Sequence, residues 1–336
     1  MEAGTVAAPR PSPFERVADV ARRNPGRTAL LIVGLVALYL IVKYSLHDWA
    51  QVSVNGMVSG SYFALGAVGL TLVYGILRLV NFAHGDMLTF GVYIAFLVSV
   101  TWGAPFFVGV IAAVAATAAL GVAFERVLFR PMRDRNARML QLILITIGLA
   151  FLLRNGVQFV AGSQVKSLDV DVTSSVEFIG LRIGRTELFV VITGFVVLAA
   201  IAAMLRLTAL GKQMRALSDN FELAETTGID TDRIVIATWI FAGGLAGLAG
   251  ALLGAAAGQV TPNIGFFILL SLFAAVILGG IGNAYGALAG GLILGLSQEW
   301  STLVFEARWK TVVGFFILII VLVVRPQGVF GRERTL

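Results

Sequence analysis

The sequence predicts an all-α integral membrane protein, a polytopic bundle of about ten transmembrane helices with broken or re-entrant segments. Three observations predict it. The 35 residues from Ile264 to Gln298 carry no charge, and similar uncharged runs recur along most of the chain. Of 336 residues, 58% are hydrophobic and only 13% charged, against about 25% charged in an ordinary soluble domain. Mean hydropathy is +0.90, which excludes a soluble enzyme. A hydrocarbon core about 30 Å thick takes roughly 20 apolar helical residues to cross, so the long uncharged run must fold back. The fold-back is expected at Gly279-Gly280-Ile281-Gly282-Asn283-Ala284-Tyr285-Gly286.

Taken in order, residues 1–27 hold Arg10, Arg16, Arg22, Arg23 and Arg27 among prolines and acidic residues, and read as a disordered cytoplasmic arm. Thr28 to Leu46 is longer than a secretory h-region and no small-residue cleavage site follows it, so it reads as a retained anchor. Further apolar segments cover 50–77, 87–102, 105–124, 139–160, 187–207, 234–258, 264–280, 284–303 and 309–324, which makes ten in all. Trp102-Gly103-Ala104-Pro105 splits one uncharged run, because proline cannot donate within a helix and glycine loosens the turn before it. An even number of spans returns both ends to one side. The N-tail, 78–86, 125–138, 206–233 and the tail from Arg325 together hold 18 of the 25 Lys and Arg residues, so these segments and both termini are expected in the cytoplasm. The other seven basic residues are assigned to outer segments. The longest outer loop, 161–186, alternates apolar residues at Val170, Val172, Val176, Phe178, Leu181 and Ile183, with Gly180 and Gly184; it reads as a short hairpin over the outer mouth. Glycines at four-residue spacing (Gly56 and Gly60; Gly243 and Gly247; Gly250, Gly254 and Gly258; Gly291 and Gly295) predict close helix crossings.

The chemistry available is narrow. The chain has no cysteine, and His47 and His84 are its two histidines, so neither thiolate chemistry nor a metal site is expected. No G-x-x-x-x-G-K-[ST] motif is present to bind ATP phosphates. No Asp or Glu is expected deep in the spans, which argues against an ion-coupled carrier. Two polar interruptions stand out: Arg78-Leu79-Val80-Asn81-Phe82-Ala83-His84-Gly85-Asp86, and the glycine turn at 279–286. Each reads either as a cytoplasmic hairpin turn or as a broken helix at membrane depth, where freed N–H and C=O groups can meet a solute. The candidate path or gate residues are Asn81, Phe82, His84, Gly85, Asp86, Gly279, Gly280 and Asn283. Within them His84 reads as a structural hydrogen-bonder, and Arg78 is expected to neutralise Asp86 across the bend.

The inner loop carries a further signal. Asp219 reads as an N-cap with Glu222 at N3, and Gly228 as the C′ residue with Ile229 behind it. A two-turn helix is therefore expected, with Phe221 and Ala224 on one side. A loop that only joins spans needs no caps.

Gly69-Leu70-Thr71-Leu72-Val73-Tyr74-Gly75, Asn81-Phe82-Ala83-His84-Gly85-Asp86, the Arg215-Ala216 to Ala224 and Gly228-Ile229 loop, and Leu278-Gly279-Gly280-Ile281-Gly282-Asn283 resemble the branched-chain amino acid permease family of ATP-binding-cassette importers, in its LivH-type subunit. The likeness runs from about Val52 to Gly328, within a permease domain taken as 28–324. It implies a transport subunit, not an enzyme, that imports branched-chain or other neutral amino acids. Urea or short amides carried by the same mechanism, or a gradient-driven secondary transporter, are the rival readings; an intramembrane enzyme would need more chemistry than two histidines supply. The resemblance also implies the partners: a second, LivM-like permease, two cytoplasmic ABC ATPases and a periplasmic or lipid-anchored solute-binding protein, in the lipid of a bacterial cytoplasmic membrane and with no nucleic acid. ATP and Mg would be bound by the ATPases, leaving no cofactor in this chain. The 208–233 loop resembles the ATPase-coupling element, with Arg215, Asp219, Phe221, Glu222, Ala224, Gly228 and Ile229 in that role. The arm before Thr28 is longer than the family usually shows.

Overall fold

In hydrocarbon the backbone must satisfy its own polar groups, so a spanning chain is drawn toward helices. The computed structural model describes residues 43–171, 173–325 and 327–330. The arm 1–27, most of the expected first span and the last six residues of the C-terminal tail lie outside these. Each of the other nine apolar segments becomes a helix. α1 spans Leu46–Leu77 and starts with a capping box, Ser45 accepting from Asp48 N while the Asp48 carboxylate accepts from Ser45 N. α2, His84–Phe96, runs on through a π-turn to Thr101. Gly103, with φ +70, and Pro105 then reset the chain, as expected, before α3, Phe106–Phe124. A second π-turn, Glu125–Phe129, leads into the short α4, Arg130–Asp134.

The remaining helices are α5 Met139–Ala161, α6 Arg185–Leu207, α7 Ala209–Asp219, α8 Phe221–Thr226, α9 Thr231–Ala257, α10 Ile264–Gly279, α11 Ala284–Trp300 and α12 Lys310–Val324. Among the described residues seven helical stretches are long and apolar enough to cross a membrane. α10 and α11, with 16 and 17 residues, are shorter and form a hairpin through the glycine turn, where the sequence places the fold-back.

The core forms where small residues let backbones touch. α1 and α11 cross antiparallel, with Gly56 over Leu296, Gly60 over Leu292 and Gly291 against Ala64; a Cβ on Gly60 would stand 3.1 Å from the Leu292 Cα. α2 meets α9 the same way, Gly91 against Gly247, and Gly250 lies on Leu88. Most of α1 and α9 is buried as a result, including Leu65, Trp239 and Leu252. Leu144 and Leu152 of α5, Val196 of α6 and Phe316 of α12 face outward. Gly258 departs from the row it was read in, since it ends α9 in the left-handed region with φ 65.

The outer hairpin is present as β2 Ser175–Phe178 paired antiparallel with β3 Leu181–Gly184. Ile179 and Gly180 both have positive φ, 52° and 78°, the arrangement of a two-residue I′ turn. Gln51 fixes the hairpin to α1, donating to Arg182 O at 2.7 Å and accepting from Arg182 N at 2.9 Å. An additional two-residue ladder, β1 Lys166–Ser167 with β4 Gln259–Val260, is too short to leave a period in the sequence. On the same loop, hydrogen bonds from Ser174 and Thr173 hold the exposed Asp171 carboxyl well below the usual carboxylate range.

A side chain at Gly91 has nowhere to go, since its Cβ would stand 2.6 Å from the Gly247 Cα. Gly91→Leu is expected to cost about 1–3 kcal/mol through overpacking and to lower the thermal unfolding midpoint in detergent. Gly148→Leu on α5, where a Cβ meets nothing within 4 Å, is expected to leave the midpoint in place. Equal midpoints for the two variants would contradict a glycine-packed core.

Candidate functional site

The first polar interruption lies inside the bundle. Arg78 ends α1 in the left-handed region with φ 53, and the chain turns back along the helix. The Val80 carbonyl accepts from Thr146 of α5 at 3.3 Å, and Asn81 Oδ1 accepts from Ala83 N at 3.1 Å. His84 Nε2 donates to the Gly66 carbonyl at 2.9 Å, a level about 16 Å back from the end of α1 at 1.5 Å per residue. Because a carbonyl only accepts, Nε2 carries the proton, and Nδ1 is left without a hydrogen-bond partner in the described structure. His84 therefore has the structural bonding role read from the sequence. Asn81, His84 and Asp86 are all buried. Gly85 packs on Gly265 of α10, and the Phe82 ring lies 5.3 Å from that of Phe273.

The charges pair differently from the sequence expectation. Asp86 takes a bidentate bond from Arg154 of α5, 2.9 Å from Nε and 3.0 Å from Nη2, and the guanidinium also lies 4.0 Å from the Phe266 ring centroid. Arg78 instead donates to Ser218 O at 2.9 Å. The left-handed turn aims Arg78 at the inner loop, whereas the first turn of α2 aims Asp86 at α5. Arg154 was assigned to an outer segment and in fact sits within a helix. Three acids, Asp86, Glu125 and Glu299, are buried near the ends of helical segments. Each is compensated. Glu125 accepts from Arg133 and from Trp239 Nε1, the latter at 2.8 Å. Glu299 accepts from Lys310 at 2.7 Å and Ser59 at 2.9 Å.

A cavity of about 740 Å³ opens at the end of the bundle that gathers the basic loops. The end of α1 lines it with Thr71, Gly75 and Arg78, α7 with Arg215, Ser218 and Asp219, and the glycine turn with Gly282, Asn283 and Tyr285. Asn283 Oδ1 caps α11 by accepting from Tyr285 N at 3.1 Å and Gly286 N at 3.2 Å, and Gly282 N donates to Thr71 Oγ1 at 3.1 Å. Of the candidate path residues, Asn283 lines this cavity; Gly279 and Gly280 stand behind the wall, Gly279 packed on Gly286. Asn81, Phe82, His84, Gly85 and Asp86 do not line it.

The inner loop folds as two helices. Helical bonding persists to Asn220 N, which donates to Ala216 O at 3.0 Å, so Asp219 is the last residue of α7 and not a cap. Asn220 leaves the helical region with φ −154 and caps α8, its Oδ1 accepting from Leu223 N at 3.0 Å. Glu222 consequently falls at N2, one place earlier than read. The other end matches the reading: Gly228 has φ 86, Gly228 N donates to Glu225 O at 3.0 Å and Ile229 N to Ala224 O at 3.3 Å. These two bonds make a Schellman motif. Ala224 is buried, while α8 leaves two apolar side chains accessible on different sides of the helix, Phe221, 37% exposed, and Leu223, 61% exposed. α7 links α8 to the cavity, since Arg215 donates to Leu205 O and Arg78 grips Ser218. The neighbouring inner loop is held by the Glu125 cluster and by the ion pair of Arg130 with Asp232 at the start of α9.

Comparison with known proteins bears on this geometry. The profile of the family described as branched-chain amino acid transport system / permease component matches residues 52–322. The high-affinity branched-chain amino acid transport system permease protein LivH of Salmonella typhimurium is 34% identical over 292 residues, covering 83% of this chain and 94% of that protein. LivH of Escherichia coli is 34% identical over 291 residues, with the same coverage, 83% and 94%. BraD of Pseudomonas aeruginosa, a permease protein of the same description, is 34% identical over 301 residues, covering 85% of this chain and 97% of its own. No solved structure matches the chain.

Removing one member of a buried pair leaves the other charge uncompensated, at a cost of about 3–5 kcal/mol. Arg154→Ala is therefore expected to lose most folded protein after detergent extraction, and Arg154→Ala with Asp86→Asn to recover much of it. Size-exclusion yield and unfolding midpoint measure both. A double variant no better than the single one would show that the pair is not what holds α2 to α5.

Proposed function

The chain belongs to the branched-chain amino acid transport permease family, and from that premise we propose how this multi-pass transport subunit works. The solute is a branched-chain or other neutral amino acid, delivered at the hairpin end by a periplasmic or lipid-anchored binding protein. The basic end faces the cytoplasm, the membrane is the bacterial inner one and both termini are cytoplasmic. A second, LivM-like permease completes the pathway. Two cytoplasmic ATPases bind ATP and Mg and supply the energy, and residues 208–233 dock on them.

The observation that carries this reading is the continuity from α8 to the cavity. Phe221 stands exposed on a loop expected in water, on a helix fixed at its ends by the Asn220 cap and the Gly228 motif. The helix before it, α7, supplies one wall of the cavity. A displacement imposed on α8 by an ATPase passes through α7 into that wall, and the cavity is where solute is released. Gradient coupling is disfavoured on physical grounds. A relay acid must gain and lose a proton, whereas Asp86, Glu125 and Glu299 are each locked against a basic group.

Transport in reconstituted vesicles is expected to require ATP on the cytoplasmic side together with the binding protein. Uptake driven by an imposed ion gradient with no ATPase present would refute the proposal.

Aromatic anchors seated in a partner's pocket commonly contribute about 2 kcal/mol or more to an interface. Phe221→Ala is expected to weaken ATPase docking at least about tenfold, at about 1.4 kcal/mol per decade. Gly228→Val should act in the same direction, because a β-branched side chain resists the left-handed backbone. Both variants should insert normally and show little solute-stimulated ATP hydrolysis. Parent-like pull-down of the ATPase and parent-like hydrolysis would remove α8 from the coupling role.

A further inference from the structure

The chain beyond α12 returns to the bundle. Gly328 turns with φ +81, and the two N–H groups that follow donate to the last carbonyls of α10: Val329 N to Leu278 O at 2.7 Å and Phe330 N to Gly279 O at 3.3 Å. Carbonyls at a helix C-terminus lack intrahelical partners, and Leu278 is fully buried, so these donors meet a real deficit. In return Asn283 Nδ2 donates to Phe330 O at 3.2 Å, and Arg325 Nη1 donates to Val329 O at 3.0 Å, closing the segment on itself. Phe330 then stands at the edge of the cavity.

We infer that residues 327–330, closed on Arg325, form a positioning strap for the solute's exit, holding the glycine turn where Gly282 meets Thr71 and Asn283 walls the cavity. The inference rests on reading that cavity as the inner end of the path. Besides the strap, the turn is located by the Gly282–Thr71 bond, the α11 cap, Tyr285 OH donating to Ala202 O, and the bonds of Gly280 N to Val276 O and Ile277 O and of Asn283 N to Gly280 O; none of these meets the carbonyls of Leu278 and Gly279. Asn283 is the side chain where the two functions separate. Its Oδ1 caps α11 and its Nδ2 holds the strap. Aspartate keeps the capping acceptor, and its charge suits a helix N-terminus, but it has no donor for Phe330 O.

The chain contains no cysteine, so Ala287→Cys, at a buried position in the first turn of α11, gives a single probe behind the turn. In the assembled transporter, Asn283→Asp is expected to lower ATP-dependent amino acid uptake about fivefold and to raise labelling of that cysteine by a membrane-impermeant maleimide about fivefold, the equivalent of one hydrogen bond of about 1 kcal/mol. Its unfolding midpoint should stay close to the parent's. Truncation after Val324 should act in the same direction and further. Parent-like uptake and labelling in Asn283→Asp would mean that Asn283 only caps α11, overturning the strap. Labelling that rises without loss of uptake, or uptake lost without a rise in labelling, overturns it equally. Labelling needs no transported solute, so a parent protein that failed to carry amino acids would refute the proposed function while leaving the strap measurable.

Discussion

Contact between helix backbones at glycine is the constraint on which the other features depend. Lipid gives two helices no hydrophobic reason to associate, so dispersion and short polar bonds must hold them, and both require close approach. Where α1 meets α11 and α2 meets α9, the glycines allow it. The same closeness lets His84 reach a carbonyl in the middle of α1 and lets Thr89 Oγ1 accept from Gly265 N at the start of α10. A bulkier crossing would push these partners apart and leave buried polar groups unpaired. The glycine rows and the polar break are therefore parts of one arrangement.

The buried charges follow the same logic at higher energy. An acid inside the bundle is tolerable when a basic group reaches it, and of the three such pairs here one joins segments far apart in sequence and two join neighbouring ones. Asp86 with Arg154 joins α2 to α5, Glu299 with Lys310 joins α11 to α12, and Glu125 with Arg133 closes the inner loop against Trp239. These bonds tie the segments that carry them to one another.

Much of this was legible in the sequence, for identifiable reasons. Uncharged runs locate helices because hydrocarbon excludes charge, and all nine apolar segments that fall in the described residues are helical. The I′ hairpin and the Gly228 motif were readable because alternation and a left-handed glycine are local signals. Pairing was not. Asp86 and Arg154 are 68 residues apart, and nothing local tells an acid whether its partner is the arginine eight residues before it or one on a helix still to come. The misplaced cap has a similar origin: Asp219 and Asn220 are both competent, and the choice between them depends on how far α7 persists once Met214 and Leu217 are buried. The β1–β4 ladder failed for length, since two residues cannot show a period. Of the candidate path residues, the 78–86 group was recognised as unusual, but its burial on several helices is tertiary information.

The wall of the inner cavity combines a stiff element with a yielding one. α7 is capped at Thr208, tied to Leu205 through Arg215 and gripped by Arg78 through Ser218, so it is braced along its length. Opposite it, the glycine turn has positive φ at Gly280 and Gly282 and is located by a few hydrogen bonds from α1 and the chain past α12. If both walls were stiff, a push on α8 would strain the whole bundle; if both yielded, the push would dissipate before reaching the solute. With α7 braced and the turn held at discrete points, the proposed push on α8 would concentrate its deformation at the cavity. The α1–α11 and α2–α9 crossings, packed glycine to backbone, leave little room to share it. In the proposed cycle, a displacement of α8 would therefore reach the wall that α7 lends the cavity.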